Sequence, residues 1–115
     1  MVFREAASML VNGKYAAWFR TPLGEGTGTI ILRDGNVSGT DTVMAYSGSY
    51  RQDGDDFSAE IAVTRHSAGQ LSVFGIDDVD IALTGKSTGL TASCRGRSKQ
   101  PPGMAFDATI IRMAD

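Results

Sequence analysis

From Asn12 onward the chain alternates short runs of β-branched and aromatic residues with Gly-containing turns, at the spacing of roughly 8–12 residues that marks an all-β protein. Residues 14–20 are the first predicted strand. Side chains alternate along a strand, so Tyr15, Ala17 and Phe19 share one face, and Ala16 and Trp18 the other. Residues 26–33 form the second, closed by Asp34-Gly35, a pair suited to the positive φ angles of a tight hairpin. Residues 36–40 return as a short third strand. In the fourth, residues 42–52, Met44, Tyr46, Gly48 and Tyr50 alternate with Val43, Ala45, Ser47 and Ser49, and Asp53-Gly54 marks a second hairpin. Residues 56–66 carry the clearest period of two, with Phe57, Ala59, Ile61 and Val63 facing away from Ser58, Glu60, Thr64 and His66. Residues 67–75 read as a loop carrying Leu71, Val73 and Phe74 toward the core. Residues 79–85, 90–97 and 104–113 complete eight strands, the last two joined by a loop whose Pro101-Pro102 excludes a central strand.

Eight sequential antiparallel strands with short connections predict an up-and-down β-barrel. Such closure removes exposed strand edges and leaves an interior for side chains or one small ligand. A β-sandwich is the rival, but it needs strands that cross between sheets where this chain has tight turns. Residues 1–11 are a lead-in and residues 12–115 a single barrel domain. Several strands are apolar on both faces: Tyr15 and Phe19 oppose Trp18, and Ile30 and Leu32 oppose Ile31. One face then points into the barrel. The other points toward something outside it, either the amino-terminal segment or a second subunit.

Length and charge narrow the function. A chain of 115 residues suits one core. Its formal charge of −2 gives no basic field for nucleic acid or an anionic membrane. Gly, Thr, Ser or a charge interrupts every apolar run before it reaches the 18 or so residues of a spanning helix. A single cysteine, with no apolar leader before Met9, points to the cytoplasm.

Candidate chemistry is sparse. His66 lies on the polar face of its strand with no partner at a diagnostic spacing, and Cys94 shares a face with Leu90 and Ala92 as a buried, inert thiol. Asp53, Asp55 and Asp56 form one acidic turn and Asp77, Asp78 and Asp80 another; neither continues into a calcium-binding loop. Gly24-Glu25-Gly26-Thr27-Gly28 lacks the helix and Lys of a phosphate loop; its alternate glycines allow strong bending or close contact with a neighbour, and barrel curvature is the better explanation. Arg95, Arg97 and Lys99 form a basic row on one side of a strand, which could hold an anion or an acidic partner surface and is best read as a solvated face. No catalytic residue, metal site or cofactor is expected.

Asn12-Gly13-Lys14-Tyr15 with Phe19, Gly24-x-Gly26-x-Gly28-x-Ile30, Asp34-Gly35 with Gly39-x-Asp41, and Tyr46-x-Gly48 together resemble the GrlR-like family, named for a negative regulator of a type III secretion locus. The resemblance covers most of residues 12–113. It implies a lipocalin-like eight-stranded barrel with an apolar cavity, a homodimer, and control of transcription by binding an activator protein instead of DNA. The namesake's exposed Glu-Asp-Glu-Asp run falls where this chain has Asp53-Gly54-Asp55-Asp56, which keeps the acidity and changes the motif. A lipocalin Gly-x-Trp is likewise replaced by Gly13-Lys14-Tyr15, with Trp18 three residues on. The expected function is a non-enzymatic regulator that binds a transcriptional activator, with Asp53, Asp55 and Asp56 as the contact loop. The alternative is a carrier of a small apolar ligand or lipid in the barrel.

Overall fold

A computed structural model describes residues 10–41, 44–65, 78–99 and 103–113. They form eight strands: β1 (Gly13–Thr21), β2 (Gly24–Arg33), β3 (Asn36–Thr40), β4 (Met44–Asp53), β5 (Asp56–Arg65), β6 (Asp78–Ser87), β7 (Thr91–Ser98) and β8 (Ala105–Arg112). Each pairs antiparallel with its neighbour in sequence, and β8 returns to pair with β1, closing an all-β barrel. The closing register sets Ala17 opposite Ile110 and Arg20 opposite Asp107. Among the described residues no helix is long and apolar enough to cross a membrane. The loop over residues 67–75, with Leu71, Val73 and Phe74, lies outside the described residues, as do His66, Asp77 and the Pro101-Pro102 pair.

Alternation decides what each strand buries. Tyr15, Ala17 and Phe19 point inward from β1; Ile30 and Leu32 do so from β2, and Phe57, Ala59, Ile61 and Val63 from β5. The opposite faces, with Trp18 at 50% exposure and Ile31 at 39%, look outward. Leu10 joins the core, so the end of the lead-in packs with the barrel. Leu10 and Val11 lie across the barrel's end, bonded to Gln52 and Tyr15, and the Trp18 face runs along the wall. The Asp34-Gly35 turn has the expected positive φ at both residues, 50° and 87°. Asn12 holds it from outside, donating from Nδ2 to Asp34 Oδ1 and accepting from Asp34 N, both at 3.0 Å.

Of the alternate glycines of β2, Gly26 and Gly28 stand against rings, whereas a Cβ on Gly24 would meet nothing within 4 Å. A Cβ built on Gly26 lies 2.5 Å from the ring of Phe19, its cross-strand partner, and one on Gly28 meets Thr40, Asp41 and the ring of Tyr46. Close contact, the reading placed behind barrel curvature for this run, accounts for both of these positions. Leu90 departs from its expected face: it lies in the turn before β7 and is exposed, while Ala92 and Cys94 are buried.

Candidate functional site

The acidic turn sits at the tip of the β4–β5 hairpin, where Asp53 pairs with Asp56 across the strands and Gly54 supplies a φ of 62°. Asp53, Asp55 and Asp56 are all exposed, as solvated carboxylates are expected to be. Beneath them Gln52 points toward the barrel interior. Its Oε1 accepts from Leu10 N at 2.7 Å, and its Nε2 lies within 3.3 Å of Gly54 O, 3.2 Å of Asp56 O and 3.2 Å of Ser87 Oγ. One amide therefore ties the lead-in, both sides of the turn and the end of β6 together. The backbone adds a further tie, Ser87 N to Asp55 O at 2.8 Å.

Lys86 supplies the counter-charge. The β5–β6 register places it beside Asp56, whose Oδ1 it bonds, and its Nζ lies 3.7 Å from Asp55 Oδ1. The hydrogen bond to Asp56, reinforced by the Asp55 charge, holds the Lys86 ammonium above its ordinary value. The tip thus presents three carboxylates and one ammonium on a braced backbone. Gln52 and Lys86 were missed in the sequence because nothing local marks them; Gln52 lies 35 positions from Ser87 and 42 from Leu10.

The other candidates resolve separately. Arg95, Arg97 and Lys99 do share one outward side, but each is engaged within the chain. Arg95 Nε lies 3.5 Å from Asp107 Oδ1, Arg97 Nη1 donates to Gly103 O at 2.9 Å, and Lys99 Nζ meets Glu60 Oε1 at 2.6 Å. The row is a lattice of exposed pairs, not a free anion cradle. Asp78 and Asp80 begin β6 on its outer side. Among the described residues no group of His, Cys, Asp or Glu is arranged to hold a metal ion. Cys94 faces the interior, and burial pushes its thiol up to about 11. At neutral pH it is protonated and a poor nucleophile.

The interior itself is almost filled. An apolar cavity of about 60 Å³ is lined from every strand, by Ala17, Ile30, Val37, Tyr46, Phe57, Ile81, Cys94 and Phe106 among others. Eight strands enclose a space that side chains can fill, and here rings fill much of it. Phe19 meets Tyr46 edge-on at 5.8 Å and stacks on Phe106 at 6.3 Å, while Tyr50 stacks on Phe57 at 5.5 Å.

Comparison of the chain with models of known protein families, and with curated proteins, finds no match.

Proposed function

We propose that the chain is a non-enzymatic, cytoplasmic regulatory protein of the GrlR-like kind, which acts as a homodimer and binds a transcriptional activator protein. Asp53, Asp55 and Asp56 form the contact loop, and the partner surface is basic. The observation that carries this reading is the braced acidic tip: exposed carboxylates on a turn whose backbone Gln52 fixes from below. A turn already ordered loses little conformational freedom when a partner docks, which favours binding. The partly compensating charge of Lys86 leaves the tip net negative.

The carrier alternative needs interior room. Drug-sized ligands occupy pockets of about 300–1,000 Å³, and the cavity of about 60 Å³ fits only a much smaller apolar guest. Protein binding at the surface therefore stands ahead of uptake into the barrel.

The test is a pull-down of the activator with the parent chain and with a variant carrying Asp53→Asn, Asp55→Asn and Asp56→Asn. Circular dichroism checks the fold of both. Loss of capture by the folded variant supports the contact loop, and a Lys86→Gln variant should capture more strongly, because the tip then carries more negative charge. Equal capture by all three proteins removes the loop from the interface.

A further inference from the structure

The outer wall at β8 and β1 carries a pattern that matches itself. One cross-strand row runs Arg95, Asp107, Arg20, Glu25 from β7 to β2, so that charge alternates plus, minus, plus, minus. The next row toward the β1 start holds Thr109 beside Trp18, and the one after holds Ile111 beside Ala16. Trp18 and Ile111 are 50% and 40% exposed.

We propose that two copies of this chain pair through the outer face of β8 and β1, about a two-fold axis that lies between these strands and parallel to them. It rests on the homodimer in the reading above and names its interface. Rotation about that axis keeps height along the strands and exchanges left for right. Arg95 then faces Glu25 of the second copy and Asp107 faces Arg20, while Trp18 covers Thr109 and Ile111 covers Ala16. An alternating row of even length is complementary to itself under this operation, and an isologous dimer requires such self-complementarity. Curvature fits the same arrangement. Two convex walls touch along β8 and β1, where the apolar and short side chains stand, and diverge toward β7 and β2, where Arg95 and Glu25 are long enough to reach across. Within one copy the row is paired two by two, Arg95 Nε 3.5 Å from Asp107 Oδ1 and Arg20 Nε 3.9 Å from Glu25 Oε1, and these exposed pairs exchange partners across the axis at little cost.

Sedimentation equilibrium and native mass spectrometry of the full chain read the copy number, and the emission of Trp18, the sole tryptophan, reads burial of the face. The expected result is a dimer whose emission shifts to the red on dilution. Trp18→Lys is expected to give a folded monomer. Arg20→Glu sets like charge against Asp107 of the second copy and is expected to raise the dissociation constant about tenfold or more. Asp107→Arg added to Arg20→Glu makes the row plus, plus, minus, minus, which again matches its own image across the axis, and returns the constant toward the parent value. A monomer at every concentration overturns the proposal and the homodimer with it. A dimer that persists in folded Trp18→Lys and Arg20→Glu overturns the interface alone. Activator capture through the acidic tip is a separate readout.

Discussion

At the end of the barrel where β1 begins, a single amide, Gln52, joins Leu10, the acidic turn and Ser87, and Tyr15 donates its hydroxyl to Val11 O at 2.6 Å. At the end where β1 finishes, the rings of Phe19, Tyr46 and Phe106 close the space, and the main polar tie among them is Tyr46 bonded to Asp41. Asp41 in turn accepts from Met44 N at 2.6 Å, which ties the residue after β3 to the first residue of β4. Hydrogen bonds are directional and set backbone position to tenths of an ångström. Ring packing depends on area and shape, and adjusts more readily. The acidic turn lies at the end where Gln52 braces the backbone on both sides of it.

The strongest way to break the comparison is to fill the space that Gly26 leaves for the Phe19 ring. Gly26→Val places side-chain atoms where the Phe19 ring lies, with the Cβ alone 2.5 Å from it. It should cost about 3 kcal/mol of unfolding free energy, read from the urea midpoint, with near-ultraviolet dichroism of the rings reduced.

Alkaline pH probes the interior between the ends. Cys94 is raised from 9.0 to about 11 by burial, so from pH 9 to 11 the unfolded thiol releases its proton while the folded one retains it. Stability is therefore full below pH 9 and falls as pH rises, by about 2–3 kcal/mol over that window for this group. Comparing the parent with Cys94→Ala at pH 8 and pH 11 isolates the share of the thiol, and the variant should lose less on going to alkali. The tyrosines at the two ends act with the same sign above pH 10. Burial raises both Tyr15 and Tyr46, and the carboxylate of Asp41 raises Tyr46 further, so the ring end should ionise last in a spectrophotometric titration.

A finer contrast comes from removing one polar tie at each end. Gln52→Ala strips the bonds to Leu10 N, Gly54 O, Asp56 O and Ser87 Oγ, and should cost about 2 kcal/mol. Amide exchange should quicken at Leu10 and in the acidic turn. Tyr46→Phe keeps the ring and removes only the donor to Asp41, for about 1.5 kcal/mol. Its faster exchange should be confined to Met44 and its neighbours. If Gln52→Ala left the acidic turn as protected as in the parent, the contrast between the ends would fail.

Much of this architecture is legible in the chain. Asp34-Gly35 and Asp53-Gly54 fall where the hairpins turn, the period of two in β5 assigns its buried face, and the Cys94 thiol is inward as its alternation implies. Where boundaries that fall on described residues differ from the expectation, they do so by one or two residues: β1, β2, β6 and the end of β4 run on, because strands continue while backbone partners remain, whereas β7 is shifted by one residue and β8 is shorter by one at each end. The candidate site was half legible. The three carboxylates stand together at a hairpin tip, as adjacent residues must, but the groups that brace and neutralise them come from β6 and the lead-in.

The sequence by itself determined the number and order of strands, the tight turns between them and the two alternating faces of each, because these follow from interactions between near neighbours along the backbone. Tertiary structure alone decided which apolar face of β1 and β2 turns inward, since Tyr15 and Trp18, or Leu32 and Ile31, are equally good candidates until the barrel closes. It also decided that Gly26 shelters Phe19, that Gln52 reaches Leu10 and Ser87, and that Lys86 meets Asp55 and Asp56. Each of these depends on register between separate strands, and register is fixed only when all eight find mutually compatible partners around one closed ring.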